Sequence, residues 1–305
     1  MTDVAELAGL RGQLIRDEPM SRHVSWRAGG KASRCYRPAD DEDLSAFLRG
    51  VPESEEIVFI GLGSNLLVRD GGFSGTVVLM HQTNARLHVR DGLLVAHAGI
   101  AAPKVARFAA INAFEGGEFL AGIPGSIGGA LAMNAGCYGS ETWDIVDSVS
   151  TIDRWGTIRH RKREEFAVEY RKCSLLVGEA IGKDEWFIGG EFALRAGSVE
   201  AARRKIRELL AKRVRSQPLS LPNAGSVFRN PPGDHAARLI ERCGLKGLVR
   251  GGAMISEKHA NFIVNASRCA AAADIEWLID VVRARVAETT GVLLEQEVRI
   301  VGTSA

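Results

Sequence analysis

Apolar residues recur along the chain at two spacings, helical and alternating, and their succession predicts a mixed architecture. Val4, Leu7, Leu10 and Leu14 stand at roughly helical spacing, which predicts a short amphipathic helix over residues 2–16. Polar and bulky residues alternate from Ser21 to Trp26 ahead of Gly29-Gly30, predicting a strand that leads into a tight loop. A helix is expected over residues 40–48, a strand over 56–60, a turn at Arg69-Asp70-Gly71-Gly72, and a further strand over 76–80. Residues 86–99 alternate around Asp91-Gly92, a strong hairpin signal. A helix follows over 104–113, then short strands over 145–152, 157–160 and 186–194. Ser198 can cap a long helix that runs to Arg215 with basic residues at its end. Pro218 and Pro222 break that pattern and mark a domain boundary. Beyond it the pattern gives helices over 235–243 and 274–290, and strands over 260–264 and 292–301. Many short strands among helices predict an α+β chain, not a doubly wound sheet.

Two glycine-rich stretches interrupt this succession. In residues 118–139, Gly122-Ile123-Pro124-Gly125-Ser126-Ile127-Gly128-Gly129 is followed by Asn134-Ala135-Gly136. Earlier, Gly61-Leu62-Gly63-Ser64-Asn65-Leu66-Leu67 follows an apolar strand. A single stretch of this kind is more often a crowded turn; two of them favour a backbone cradle for a large anionic cofactor. The earlier stretch is not a Rossmann fingerprint, because Leu66 stands where the third glycine belongs and no clear βαβ unit follows.

Composition narrows the class without naming a function. With 305 residues the chain can hold two or three domains, and 46% apolar with 25% charged residues is ordinary for a soluble globular protein. A net charge of +2 gives no reason to expect nucleic acid or a membrane surface. There is neither a long apolar run nor a basic-then-apolar leader pattern, so a cytoplasmic protein is expected. Five scattered cysteines without a C-x-x-C pair predict idle thiols, with neither disulfides nor a metal site. His23 has no partner pattern and receives no catalytic role.

Three polar elements lie at turns or strand ends: Tyr170-Arg171, the loop from Asn223 to Pro231 that contains Ser226, and Glu295-Gln296-Glu297-Val298-Arg299. Each by itself is more readily structural, and Ser226 lacks the elbow of a serine hydrolase. In this order, with Gly244-Leu245-Lys246-Gly247, Lys258-His259-Ala260-Asn261-Phe262, Trp26 to Ala32 and both glycine stretches, the chain resembles the UDP-N-acetylenolpyruvoylglucosamine reductase family.

The resemblance implies an enzyme of bacterial peptidoglycan-precursor synthesis with noncovalent FAD and NADPH as co-substrate. Its substrate would be a UDP-linked enolpyruvyl amino sugar, reduced to UDP-N-acetylmuramate. It implies two FAD-binding subdomains of the vanillyl-alcohol-oxidase-like flavoprotein fold, residues 1–82 and 83–216, and an α+β substrate-binding domain, residues 217–305, with a monomer as the default state. By position, Arg171, Ser226 and Glu297 match the catalytic residues, Ser226 being the proton donor. Gly61, Gly63, Ser64, Asn65, Leu66, Gly122, Ile123, Pro124, Gly125, Ser126, Gly128, Gly129, Asn134 and Gly136 match the cofactor-binding stretches. Asn230, Lys258 and His259 are expected to meet substrate, the last two its diphosphate. Cys173 stands where the family often has serine, and no tyrosine lies between Arg171 and Ser226, so the shorter family type, without a tyrosine loop, is expected. A flavin oxidase of the same fold and a flavin or nucleotide-sugar binding protein without turnover are the alternatives. The lack of histidine in the glycine stretches weighs against the first, and the presence of all three catalytic residues against the second.

Overall fold

A computed structural model describes residues 9–82, 86–178 and 180–305. Six α-helices occur among them: α1 Asp41–Arg49, α2 Ala102–Ile111, α3 Ile127–Ala132, α4 Val199–Ser216, α5 Ala236–Arg242 and α6 Ala272–Thr290. The capping rules explain where α1 starts. The Asp40 side chain accepts the Asp43 N–H at 2.9 Å, and Asp41, Glu42 and Asp43 crowd the positive end of the helix dipole.

The chain divides into two units: Met1–Arg16, Arg34–Leu62 and Gly75–Leu210 form one, and Asp17–Ser33, Gly63–Ser74 and Ala211–Ala305 the other. The three contiguous segments read from the sequence partition the chain differently, since these units exchange short pieces near the N-terminus.

The first unit carries an antiparallel sheet in the order 158–162, 146–153, 185–192, 93–97, 87–90. The Asp91-Gly92 hairpin joins its last two strands, with φ of 50° and 79°, the left-handed pair that a two-residue turn of this kind requires. One apolar cluster packs α2 and α3 on this sheet through Val105, Leu120, Ile127, Trp143, Phe187 and Phe192. A second gathers Tyr36, Leu44, Leu48, Ile57, Val78 and Trp186 around α1. Strands 57–60 and 73–79 run parallel in a four-stranded sheet ordered 13–19, 31–37, 73–79, 57–60.

The core of the second unit is α6 with Trp26, Val227, Phe228, Leu239, Ile255, Ile263 and Leu294. Trp26 is fully buried; its indole N–H donates to the Ile263 carbonyl at 2.7 Å, and its own carbonyl accepts from Asn265 at 3.0 Å.

Three expectations are corrected. Residues 13–19 form a strand, which ends the helix predicted over 2–16; residues 2–8 of that helix lie outside the described residues. The strand near Gly29-Gly30 follows the glycines, over Lys31–Arg37, instead of preceding them. The terminal strand is only Arg299–Val301, beside Leu66–Val68. The central glycine stretch, for which the pattern gives no helix or strand, contains a helix, α3.

Candidate active site

In the second unit the loop 223–231 is braced from both sides. Asn223 donates to the carbonyls of Pro218 and Leu221 at 3.2 and 2.8 Å and accepts the Gly225 N–H at 3.0 Å. Gly225 has φ of 76° and open space at its Cβ position, so backbone conformation and not crowding selects glycine there. One side chain holds the next turn: Asn261, buried, accepts the Phe228 N–H at 2.9 Å and donates to the Phe228 carbonyl at 2.8 Å.

This bracing brings Ser226 and Glu297 together on the backbone. Phe228 and Gln296 form an antiparallel bridge, the Glu297 N–H donates to the Val227 carbonyl at 2.8 Å, and the Arg229 N–H donates to the Glu295 carbonyl at 2.9 Å. Glu297 therefore stands opposite the residue next to Ser226. Both are half-buried, and among the described residues Ser226 Oγ has no hydrogen-bond partner. The glycine stretch joins the same site, because the Asn65 amide donates to the Glu297 carbonyl at 3.1 Å and Asn65 O accepts the Arg299 N–H at 2.9 Å. Leu66 is buried in the parallel ladder with Arg299. The Gly63 and Ser64 N–H groups donate to no acceptor among the described residues, which suits an incoming anion.

The expected substrate residues are placed less simply. Asn230 is exposed, and its side-chain oxygen accepts the Ala236 N–H at the start of α5, at 3.1 Å. Lys258 donates to the Val214 carbonyl in the last turn of α4, at 2.6 Å. His259 lies edge-on to Phe262, with centroids 4.7 Å apart, and burial first, with nearby Lys246, lowers its pKa below the ordinary 6.5. A neutral imidazole at pH 7 can donate a hydrogen bond to a diphosphate but not a charge. His23, outside the assigned site, is a buried partner of Glu18 at 2.8 Å.

The first unit holds the other glycine stretch. Ser126 caps α3 and abuts Gly61, where a Cβ would collide with its hydroxyl. The segment hangs on residues 98–102: the Ile127 N–H donates to the Ile100 carbonyl at 2.8 Å, the Gly128 N–H to the Ala98 carbonyl at 2.9 Å, and the Ala102 N–H to the Gly125 carbonyl at 2.9 Å. Ile123 and Pro124 carry the chain into this segment from the turn Glu118–Gly122. Packing accounts for Gly122, beside Cys137 and Tyr138, for Gly128, beside Ala98, and for Gly136, in the turn to Ser140. Gly129 is different. Its φ is not left-handed, and a Cβ there would meet only Ser126 Oγ at 3.8 Å. Neither conformation nor the protein's own packing demands glycine, which fits a backbone left bare for a close-lying cofactor.

Arg171 is the second residue of a two-residue turn between strands Phe166–Glu169 and Lys172–Leu175. Its φ of 57° is unfavourable for a residue with a side chain, by about 1 kcal/mol or more. The guanidinium fork compensates by donating to the carbonyls of Asn134 at 3.3 Å and Gly136 at 2.9 Å. Asn134 is buried and committed within the protein: it donates to Glu141 at 2.7 Å and to the Glu169 carbonyl at 3.1 Å, and accepts the Trp143 N–H at 3.1 Å. Cys173, two residues past Arg171, is buried, and that burial pushes its thiol up to about 12, so it is inert.

Residues 217–301 match the UDP-N-acetylenolpyruvoylglucosamine reductase C-terminal domain, and residues 32–161 match an FAD binding domain. A protein of Nitrosospira multiformis described as UDP-N-acetylenolpyruvoylglucosamine reductase is 54% identical over 98% of this chain and 92% of its own. The chain belongs to the UDP-N-acetylenolpyruvoylglucosamine reductase family. Within this family a Thiobacillus denitrificans reductase is 55% identical over 96% of this chain and 93% of its own. The crystal structure of the family's Thermus caldophilus reductase superposes with a TM-score of 0.78 at 31% identity, covering 96% of this chain and 100% of that one. The expected α+β flavoprotein fold, FAD as cofactor and oxidoreductase class stand on these matches. Among the described residues, no helix is long and apolar enough to cross a membrane.

Sequence reasoning passed over Asn261 as a brace of the serine loop and gave Glu141 no role. Asn261 lies within a motif quoted for the family; Glu141 lies outside every quoted motif. Polar side chains that serve to hold other polar groups leave no periodic trace.

Proposed function

We propose that the chain reduces the enolpyruvyl ether of UDP-N-acetylglucosamine to UDP-N-acetylmuramate in the cytoplasm, as a monomer, with NADPH as reductant. Residues 1–82 and 83–216 are the FAD-binding subdomains of this reading, and residues 217–305 hold the substrate. The observation that carries it, beyond family membership, is the backbone pairing that sets Glu297 beside Ser226.

FAD, when bound, supplies the hydride. The protein handles the charge and the proton. The Arg171 guanidinium binds the carboxylate of the enolpyruvyl group and stabilises the enolate that develops next to it. Ser226 donates the proton that completes the reduction. A hydroxyl is a weak acid, but the acceptor is a strongly basic carbon, and such general acids contribute about 100-fold to 10,000-fold. Glu297 takes part protonated, or orients a donor, since a bare carboxylate beside an enolate repels it. The amides of Gly63 and Ser64 suit the cofactor, and the Asn230 amide donors suit the substrate, as does a neutral His259. Lys258 uses one N–H on the Val214 carbonyl and keeps two donors that suit a diphosphate.

The test is anaerobic flavin absorbance. NADPH bleaches the oxidised band, and the UDP-linked enolpyruvyl sugar restores it with UDP-N-acetylmuramate formed. Bleaching without recovery overturns the proposed substrate. A flavin that NADPH does not bleach overturns the proposed reductant.

A further inference from the structure

Glu141 sits at the end of the short hairpin Gly136–Cys137 and Ser140–Glu141, facing two members of the first unit at once. One carboxylate oxygen accepts the Asn134 amide at 2.7 Å; the other lies 3.7 Å from Arg171 Nη1. Asn134 closes the arrangement. Its carbonyl accepts from Arg171, and its amide also reaches the Glu169 carbonyl, the last residue before the turn that carries Arg171. Its own φ of 45° is left-handed, like the 57° of Arg171. Two strained backbone positions are thus held by one polar network, which is how a fixed side-chain geometry persists against its local cost.

We infer that Glu141, working through Asn134, is a positioning residue that aims the Arg171 guanidinium for the reductive step. This rests on Arg171 being the cation that stabilises the enolate, as proposed above. The chemistry asks for such a device. A guanidinium contributes to a transition state through orientation, and a misplacement of about 1 Å costs on the order of 100-fold. The Arg171 side chain is only 16% exposed and its fork engages two carbonyls, so the Glu141 carboxylate adds a charged contact to a fork already fixed on the Asn134–Gly136 backbone. Glu141, at 35% exposure, can be changed with little loss of packing.

The experiment compares Glu141→Gln, Arg171→Ala and the double variant as FAD-loaded full-length proteins, following flavin reduction by NADPH and reoxidation by the enolpyruvyl sugar separately. Glu141→Gln is expected to slow reoxidation by about 10-fold to 100-fold and reduction far less. In the Arg171→Ala background it is expected to add nothing, because the group it aims is gone. Equal slowing of both half-reactions, or effects that multiply in the double variant, overturns the inference and leaves Glu141 a structural residue. If Arg171→Ala reoxidises at the parental rate, the role of Arg171 itself is overturned first, and that result is distinct from the other two. Should Glu141→Gln fail to retain FAD, Glu141→Asp, which keeps the charge on a shorter arm, is held to the same split between half-reactions.

Discussion

Ser226 is the residue on which the proposed proton transfer turns. Its oxygen makes no hydrogen bond among the described residues, and the loop is held by Asn223, Asn261 and the Glu297 N–H instead. Ser226→Ala is therefore expected to leave the loop intact and to remove only the proposed proton donor. Reoxidation of the reduced flavin by substrate is expected to fall about 100-fold to 10,000-fold, with flavin reduction by NADPH preserved; single-turnover absorbance measures both. Asn261→Ala makes the contrast. It leaves a buried N–H and C=O of Phe228 unpaired, costs about 1–3 kcal/mol, and is expected to lower stability and both half-reactions together. How much of the site was legible follows from this difference. Ser226, Arg171 and Glu297 are legible through motif resemblance, because each lies in a short run of residues that the resemblance rests on. No residue pattern marked the braces, since a side chain that bonds to backbone can come from many places in the chain. Lys258 shows the converse: its family position is legible, but its bond to the end of α4 appears only in three dimensions.

At the scale of elements, α6 illustrates a terminus that sequence rules cannot start. Ala271 at its N-cap offers no side-chain acceptor, and the free N–H groups of the first turn are served from a distant part of the chain. The Asp70 carboxylate accepts from Ala272 and Ala273, both at 2.9 Å, while Arg69 pairs with Glu276 at 2.7 Å. Asp70→Ala is thus a helix-cap deletion and is expected to cost about 1 kcal/mol, read as a lower urea midpoint at unchanged slope. The periodic helices α1, α2, α4 and α6 were all legible within a few residues, because amphipathic spacing is set by one element alone. The strand Gln13–Pro19 was not. Gln-Leu-Ile-Arg-Asp-Glu-Pro carries little alternation, and Leu10 and Leu14 fit a helix equally well until a neighbouring strand is available. The same logic explains the terminal strand. Residues 292–301 are rich in Val, Leu and Ile, but among the described residues a ladder partner exists only for Arg299–Val301 and a single bridge at Gln296. In the central glycine stretch, Gly128 and Gly129 hid α3 because glycine lowers helix propensity, and Ser126 as cap was the one signal available.

For the whole molecule, the titrating groups point to a stability plateau with two different edges. Asp43 and Asp153 are buried, which alone would raise their pKa. Hydrogen bonds outweigh this: Tyr36 and the N–H groups of Arg11 and Ala39 for Asp43, and Thr157, Arg159 and Trp155 for Asp153. Both therefore lie below the ordinary 3.8, so the folded state binds fewer protons than the unfolded chain as pH falls. Their contribution is complete above that value and is lost as pH drops through the lowered one. His259 shifts in the same direction from 6.5, extending the acid edge upward: its neutral form is favoured by folding, and that gain fades below about pH 6.5. The alkaline edge has the opposite sign. Burial raises the Cys173 thiol from 9.0 to about 12, so its contribution is complete below 9.0 and is lost as pH climbs toward 12. Tyr36, raised by burial and by its bond to Asp43, acts in the same direction at higher pH. The thermal midpoint is expected to be level between about pH 7 and 8.5 and to fall on both sides. Cys173→Ser, which removes the thiol, separates the edges: it should flatten the decline above pH 9 and leave the acid limb in place. An alkaline limb unchanged by that substitution would move its origin to Tyr36, and scanning calorimetry from pH 4 to 11 distinguishes the two.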